Sequence, residues 1–111
     1  MDQTQALSAL SALGQETRLQ IVRLLVPCGT EGLSAGEIGL RVNCAASRLS
    51  FHLSALEQAG LIAARRDGRR MIYSAERRQL GGLIDYLLND CCVGDRVVGA
   101  MCLNTSDGPC T

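Results

Sequence analysis

The 111-residue sequence contains one histidine, no lysine and no hydrophobic run long enough to cross a membrane. Its N-terminus also lacks the basic-then-apolar order of a secretory signal peptide. We therefore expect a single-domain cytoplasmic protein with no membrane partner. The lone histidine leaves few nitrogen ligands for a soft metal ion. No Cys-x-x-Cys motif is present, and no histidine lies near the four cysteines in the last fifth of the chain. The sequence therefore disfavours a thiol enzyme.

Cysteine, in contrast, is plentiful, with six residues in the chain. Four of them lie in the last fifth of the sequence: Cys91, Cys92, Cys102 and Cys110. In a reducing compartment, cysteines with such irregular spacing are expected to be thiols, metal ligands or redox sensors rather than a disulfide framework. Cys28 and Cys44 stand apart from the cluster, and we predict structural roles for both.

The charges are unevenly distributed, although the net charge is zero. From Arg41 to Arg78 there are eight arginines against three carboxylates, which gives this segment a charge of +5. The two ends of the chain are acidic. A basic middle between acidic ends is the arrangement expected if only the middle faces phosphate.

Apolar residues spaced by three and four positions predict five helices, over residues 4–13, 16–26, 35–42, 45–59 and 75–90. Ser34 is the expected N-cap of the third helix, and Glu37 completes a capping box with it. Only a tight turn at Asn43 separates the third helix from the fourth, which is the spacing of a helix-turn-helix. The fourth helix is expected to point three leucines inward: Leu49, Leu53 and Leu56.

The hydrophobic period changes after Gly60. Residues 61–66 and 69–73 flank Asp67-Gly68, a two-residue turn suited to a hairpin because glycine accepts a positive φ without steric penalty. An arginine-tipped hairpin that directly follows a helix-turn-helix is a wing. The predicted fold is therefore mainly α with a small β-hairpin, a winged helix-turn-helix of about five helices.

The first and last predicted helices carry more apolar surface than a domain of this size needs. The first has its stripe at Ala6, Leu7, Leu10 and Leu13, and the last at Leu80, Leu83, Ile84, Leu87 and Leu88. We expect a homodimer formed through these two helices. The alternative is that both stripes pack only onto their own core. With the homodimer, we expect two regions: residues 1–90 form the DNA-binding and dimerisation domain, and residues 91–111 form a cysteine-rich tail that binds an inducer.

Residues 45–62 and 65–73, together with the opening of the second helix at 13–21, resemble the ArsR/SmtB metalloregulators. The most specific part is the run Ser50-x-His52-Leu53-x-x-Leu56-x-x-Ala59-Gly60-Leu61 followed by the wing. The similarity extends over residues 5 to 90. It implies a repressor that binds double-stranded operator DNA as a homodimer.

Eight residues are predicted to contact DNA. Four lie on the first two turns of the fourth helix, where short polar and basic side chains reach base edges and phosphates: Ser47, Arg48, Ser50 and His52. Four lie on the wing, where they would bind phosphate or enter a minor groove: Arg65, Arg66, Arg69 and Arg70. The alternative for each arginine is a solvated charge. For His52 it is a hydrogen bond between helices.

Members of the ArsR/SmtB family place their effector sites in several locations. The third-helix Cys-x-Cys of one arsenical site is replaced here by Ser34 and Gly36, and the last helix offers only Asp85 and Asp90 to a zinc site. The remaining ligands are Cys91, Cys92 and Cys102, with Cys110 as the weakest candidate. Three thiolates suit trivalent arsenic, supplied as arsenite, or antimony, supplied as antimonite.

Other interpretations of the cysteine cluster stay open. Four thiolates would suit zinc or cadmium, and a disulfide between Cys102 and either Cys91 or Cys92 would make a redox switch. The cysteines could also be small apolar residues at a helix end. A module that binds an acidic protein through the wing is a further alternative. The interpretation we favour is a metalloid-responsive repressor that releases its operator when arsenite binds.

Overall fold

The structure, a computed structural model, describes residues 1–92 of the chain, the last four by their backbone only. Five α-helices are present: α1 (Gln3–Leu13), α2 (Glu16–Leu25), α3 (Ala35–Val42), α4 (Ala46–Gln58) and α5 (Arg77–Cys92). Three strands form an antiparallel sheet in the order β1-β3-β2: β1 (Leu33–Ser34), β2 (Ile62–Asp67) and β3 (Arg70–Ala75). A 3₁₀ helix (Val26–Glu31) follows α2. The predicted winged helix-turn-helix is confirmed.

The helix-turn-helix is built from local signals at both ends of α3. Glu37 N–H donates to the Ser34 hydroxyl at 3.2 Å, and Ser34 N–H donates to the Glu37 carboxylate at 3.1 Å, so the predicted capping box is confirmed. At the other end Asn43 adopts the left-handed conformation, with φ of 53°. Cys44 N–H then donates to the carbonyl of Gly39 at 3.0 Å. This closure lets α4 begin only a few residues after α3 ends.

The core lies where α2, α3 and α4 meet the base of the sheet. Its largest fully buried side chains are Ile21, Leu25, Ile38, Leu53, Leu56, Leu61 and Ile62. Leu49 is also buried, so the inward orientation predicted for the three leucines of α4 is confirmed. These contacts fix one face of α4 on the protein and leave the other face open.

The apolar residues of α1 and α5 divide between the core and the surface. In α1 the core contacts come from three alanines, Ala6, Ala9 and Ala12, whereas Leu7 and Leu10 are 58% and 41% exposed. In α5 Leu83 is buried, whereas Ile84 and Leu87 are 43% and 40% exposed. The two helices pack against each other. Two large apolar side chains of each helix therefore remain on the surface of the single chain.

The wing turn differs by one residue from the prediction. Strand β2 extends through Asp67, which pairs with Arg70, so the two turn residues are Gly68 and Arg69 rather than Asp67 and Gly68. Gly68 has φ of 65°, and Arg69 has no positive φ. A positive φ at the first turn position alone is the arrangement of a type II′ turn, which places glycine first.

Two elements of the structure were absent from the prediction, which placed no helix or strand between the second helix and the third. They are the 3₁₀ helix and β1, whose Leu33 and Ser34 pair with Tyr73 and Ile72 of β3. Gly32, with φ of 64°, brings the chain against the backbone of Tyr73. Strand β1, which immediately precedes α3, therefore joins the wing to the start of that helix.

Helix α5 continues to Cys92, two residues further than predicted. Cys91 and Cys92 are consequently the last residues of α5 and do not follow it. Cys102, Cys110 and the rest of the predicted tail lie outside the described residues. Among the helices that the structure describes, none is long and apolar enough to cross a membrane.

Candidate nucleic-acid interface

The open face of α4 presents mostly short polar side chains, in the position of a recognition helix. Ser47, Arg48 and Ser50, three of the residues predicted to contact DNA, are all exposed there. The chain turns into the helix at Ala45, which has extended backbone angles and provides no side-chain cap. The first backbone N–H groups of α4 are thus left without a capping side chain, beside these serines and this arginine.

His52 lies on the flank of α4 that faces α2. It is half-buried, and its Nδ1 accepts a hydrogen bond from Nε of Arg18 at 3.1 Å. Because a guanidinium can only donate, Nδ1 carries no proton, and a neutral ring must hold its proton on Nε2. Burial, followed by the positive charges of Arg18 and Arg48, lowers the pKa of His52 below its ordinary value of 6.5. The hydrogen bond between helices, the alternative given for this residue, is therefore formed.

Phe51 belongs to the same open face and was missed by the sequence analysis. Its side chain is 66% exposed, and its ring lies 5.9 Å from the ring of His52, at an interplanar angle of 70°. The guanidinium carbon of Arg18 lies 5.5 Å from the centre of the Phe51 ring. The signal in the sequence was a phenylalanine outside the Leu49, Leu53 and Leu56 positions of an otherwise polar helix.

Two of the four predicted wing arginines bind the protein itself. Arg65 donates to the carbonyls of Thr30 and Glu31 at 3.0 and 3.2 Å. Arg70 forms an ion pair with Glu37 at 3.0 Å. The Ser34 hydrogen bonds and the charges of Arg70 and Arg41 lower the pKa of Glu37, so this carboxylate stays ionised at neutral pH. These contacts attach both strands of the hairpin to the segment around α3.

Arg66 and Arg69 occupy the more open positions of the wing. Arg69 lies in the turn. Arg66 pairs with Met71 of β3, and its side chain points to the sheet face opposite that of Arg65. Both are exposed, and within residues 1–92 neither side chain makes a hydrogen bond or an ion pair. Among the five arginines predicted to contact DNA, these two and Arg48 on α4 are the ones whose side chains are not bound to the described part of the protein itself.

The predicted thiol site lies largely beyond the described side chains. Cys28 and Cys44 are half-buried free thiols that donate to nearby carbonyls, those of Leu24 and Ala45. Their structural role stays a prediction. Among the side chains that the structure describes, no three histidine, cysteine or acidic residues come together as a metal site.

Comparisons with known proteins agree with this geometry. Residues 13–65 match a family described as a helix-turn-helix domain. The HTH-type transcriptional regulator YgaV of Escherichia coli is 35% identical over 88 residues, which is 79% of this chain and 87% of that protein. A Halobacterium salinarum protein, “Putative arsenical resistance operon repressor ArsR”, is 39% identical over 69 residues, or 62% of this chain and 53% of that one.

The fold is also shared with solved structures. An ArsR-like transcriptional regulator from Rhodococcus sp. RHA1 superimposes with a TM-score of 0.73 at 25% sequence identity. The match covers 93% of each chain. The similarity therefore extends well beyond the helix-turn-helix to the flanking helices and the wing.

Proposed function

Because the chain belongs to the ArsR/SmtB family of helix-turn-helix transcriptional regulators, we propose that it represses transcription by binding operator DNA as a homodimer. Trivalent arsenic is the proposed inducer, with antimony as a close chemical substitute. It would bind the thiolates of Cys91, Cys92 and Cys102 and lower the affinity of the protein for operator DNA. The observation that carries this proposal is that one helix, α5, combines an exposed apolar face with two of these cysteines at its end.

DNA binding is supported by the arrangement of α4 and the wing. Ser47, Arg48 and Ser50 lie on the open face of the recognition helix, and Arg66 and Arg69 are exposed on the hairpin that follows it in the chain. A helix of this kind enters the major groove while cations beside it bind phosphates. In a dimer, two such helices would contact half-sites of an inverted repeat, about 34 Å apart.

Dimerisation is supported by the surface of α1 and α5. Leu7 and Leu10 on one helix and Ile84 and Leu87 on the other are exposed in the single chain, although apolar side chains of this size gain by burial. The two helices already contact each other. A second copy that places the same faces against them would form a symmetric interface of the usual twofold kind.

The inducer site is proposed from ligand chemistry. Soft thiolates favour thiophilic ions, and three of them suit the pyramidal geometry of trivalent arsenic. In the reaction, three thiols replace the three hydroxyls of arsenous acid, and each thiol proton leaves with a hydroxyl as water. Nine residues separate Cys92 from Cys102, which is enough chain to return to the end of α5. The third ligand could come from the same subunit or from its partner.

A route from the thiols to the DNA follows from the position of α5. A bound ion would hold the tail against the end of the helix and change how the two copies of α5 meet. Since both recognition helices must match their half-sites at once, a small change at the interface misaligns both. Linkage then requires DNA to weaken arsenic binding by the same factor, typically about 1 to 3 kcal/mol of coupling.

The test is an operator-release assay on the full-length protein. Arsenite, antimonite, cadmium, zinc and peroxide are titrated against the wild type and single serine variants of the tail cysteines: Cys91→Ser, Cys92→Ser, Cys102→Ser and Cys110→Ser. Cys28→Ser and Cys44→Ser serve as matched controls, because their thiols lie in the folded domain. We expect arsenite to release the wild type, and each of the first three variants to lose that response.

Several outcomes would contradict the proposal. Unchanged operator affinity in arsenite would exclude the inducer, and release that depends on Cys110 but not on Cys102 would replace one ligand. Release by peroxide alone, reversed by dithiothreitol, would instead indicate a thiol redox switch. Release by cadmium and zinc with all four tail cysteines required would indicate a tetrahedral metal site.

A further inference from the structure

Phe51, the single phenylalanine of the chain, occupies a position that folding does not explain. At about 100° per residue, it lies roughly 170° around α4 from the mean direction of its buried leucines. Its immediate neighbours on this open face, Ser47, Ser50 and Ser54, are polar and exposed. With 66% of its side chain open to solvent, Phe51 contributes little to the core and adds an apolar surface where the helix is otherwise hydrophilic.

The ring is held in place although it is exposed. The Arg18 guanidinium lies 5.5 Å from the ring centre on one side, and the His52 ring contacts it edge-on at 5.9 Å. The hydrogen bond from Arg18 to His52 ties these two groups together across α2 and α4. A side chain already restrained in this way loses less conformational entropy when it binds a ligand.

The charge around Phe51 identifies the ligand class. Arg48 is exposed one turn earlier on α4, and the segment from Arg41 to Arg78 carries a charge of +5. This surface is complementary to a polyanion, and α4 has the shape that enters a major groove. Among the base edges in that groove, the apolar group is the C5-methyl of thymine.

We propose that Phe51 contacts a thymine methyl group in each operator half-site and thereby determines part of the sequence specificity. The proposal rests on the proposed binding of operator DNA and adds a base that the protein distinguishes. Arg18 is a positioning residue in this contact, because it touches the ring and the neighbouring histidine and need not reach the DNA itself.

The experiment removes the methyl group from the DNA rather than from the protein. An operator is selected from random-sequence duplexes with the full-length wild type, and each thymine is then replaced in turn by deoxyuridine. We expect one thymine in each half-site whose replacement weakens binding by about fourfold, the value of burying one such carbon. Replacing both symmetric thymines should weaken binding by about 15-fold.

Phe51→Ala provides the matching protein variant. Its operator affinity should fall, and it should no longer distinguish thymine from deoxyuridine at that position. Because Phe51 is exposed, the variant should still fold, which thermal melting checks, and its loss of affinity should be larger for the operator than for random-sequence duplex. Ser54→Ala, on the same face one turn later, is the control that should keep the deoxyuridine effect.

Two results would overturn the inference. Either no deoxyuridine replacement weakens the wild type, or Phe51→Ala shows the same replacement profile as the wild type. A wild type that selects no sequence at all would instead contradict operator binding, so the failures of the two proposals are distinguishable.

Discussion

Nε of Arg18 on α2 donates to Nδ1 of His52 on the recognition helix at 3.1 Å. The bond requires an unprotonated Nδ1, and protonation of the ring would place a second donor against the guanidinium. Burial and the charges of Arg18 and Arg48 already lower the pKa of this histidine. The contact between α2 and α4 is therefore expected to weaken in acid.

The stability of the fold should depend on pH through His52. Because its pKa is lower in the folded chain than the unfolded value of 6.5, the unfolded state binds more protons between the two pKa values. The contribution of neutral His52 to the free energy of unfolding is fully present above about pH 6.5, and it is lost as the pH drops through the folded pKa. His52→Asn, whose Oδ1 can still accept from Arg18, removes the titration.

Thermal unfolding between about pH 7.5 and about pH 5.5 measures this effect. The wild type should lose more melting temperature than His52→Asn over that interval. Since the chain has one histidine, no other imidazole can account for the difference. Parallel curves for the two proteins would mean that His52 does not link folding to pH.

The ion pair between Arg70 and Glu37 should restrain the wing. Glu37→Gln keeps an oxygen that can accept from Ser34 but removes the charge that holds Arg70. We expect a few-fold increase in affinity for a random-sequence duplex, measured by fluorescence anisotropy, because Arg70 becomes free to bind phosphate. The control is Glu31→Gln, which removes a charge nearby without releasing an arginine. An equal increase in both variants would assign the effect to net charge alone.

Gly32 should be more sensitive to substitution than Gly29. Both have similar backbone angles, φ of 64° and ψ of −163° against φ of 60° and ψ of −149°, in a region used almost only by glycine. A Cβ at Gly32 would collide with the carbonyl oxygen of Tyr73, whereas one at Gly29 would meet nothing within 4 Å. Each alanine variant should lose about 1 to 3 kcal/mol from the backbone alone.

Urea unfolding of the two variants separates the backbone cost from the collision. Gly32→Ala should lose at least about 1 kcal/mol more than Gly29→Ala, because β1 must move away from β3. Equal losses would show that the pairing of Leu33 with Tyr73 adjusts without cost.

The proposed dimer can be tested at Leu7, the most exposed of the four interface candidates on α1 and α5. Leu7→Glu would bury an unpaired charge twice in a symmetric interface, so the dimer dissociation constant should rise by about 100-fold or more. Sedimentation equilibrium measures that constant. Leu40→Glu, at an 86% exposed position of α3, is the control that should remain dimeric. A dimer unaffected by Leu7→Glu would place the interface elsewhere.

The helices could be predicted because their signals are local. The third helix was predicted at residues 35–42, as observed, since Ser34 and Glu37 cap its start and Asn43 ends it within the same short segment. The inward leucines of α4 followed from their spacing. In α1 the same spacing was ambiguous, because alanines form the buried side, whereas Leu7 and Leu10 are exposed.

The missed features depend on residues far apart in the chain. Strand β1 exists because Leu33 meets Tyr73, and Arg65 finds its acceptors 34 and 35 residues away. The partner of Arg70 is 33 residues away. No local pattern distinguishes such arginines from those that remain free, so all four wing arginines received the same DNA-binding prediction. The exposure of Phe51 and its contact with Arg18 depend on how α4 packs against α2, which no local pattern reveals.

The contacts that Arg65 and Arg70 make within the protein affect how many counterions the DNA releases on binding. With all five arginines of α4 and the wing on phosphates, a dimer would displace about ten cations from DNA, giving a slope near −9 for the logarithm of affinity against that of salt concentration. If Arg65 and Arg70 keep their protein partners, the dimer displaces only about six cations, and the slope is roughly −5. Such a protein would keep more of its operator affinity as the ionic strength of its surroundings rises.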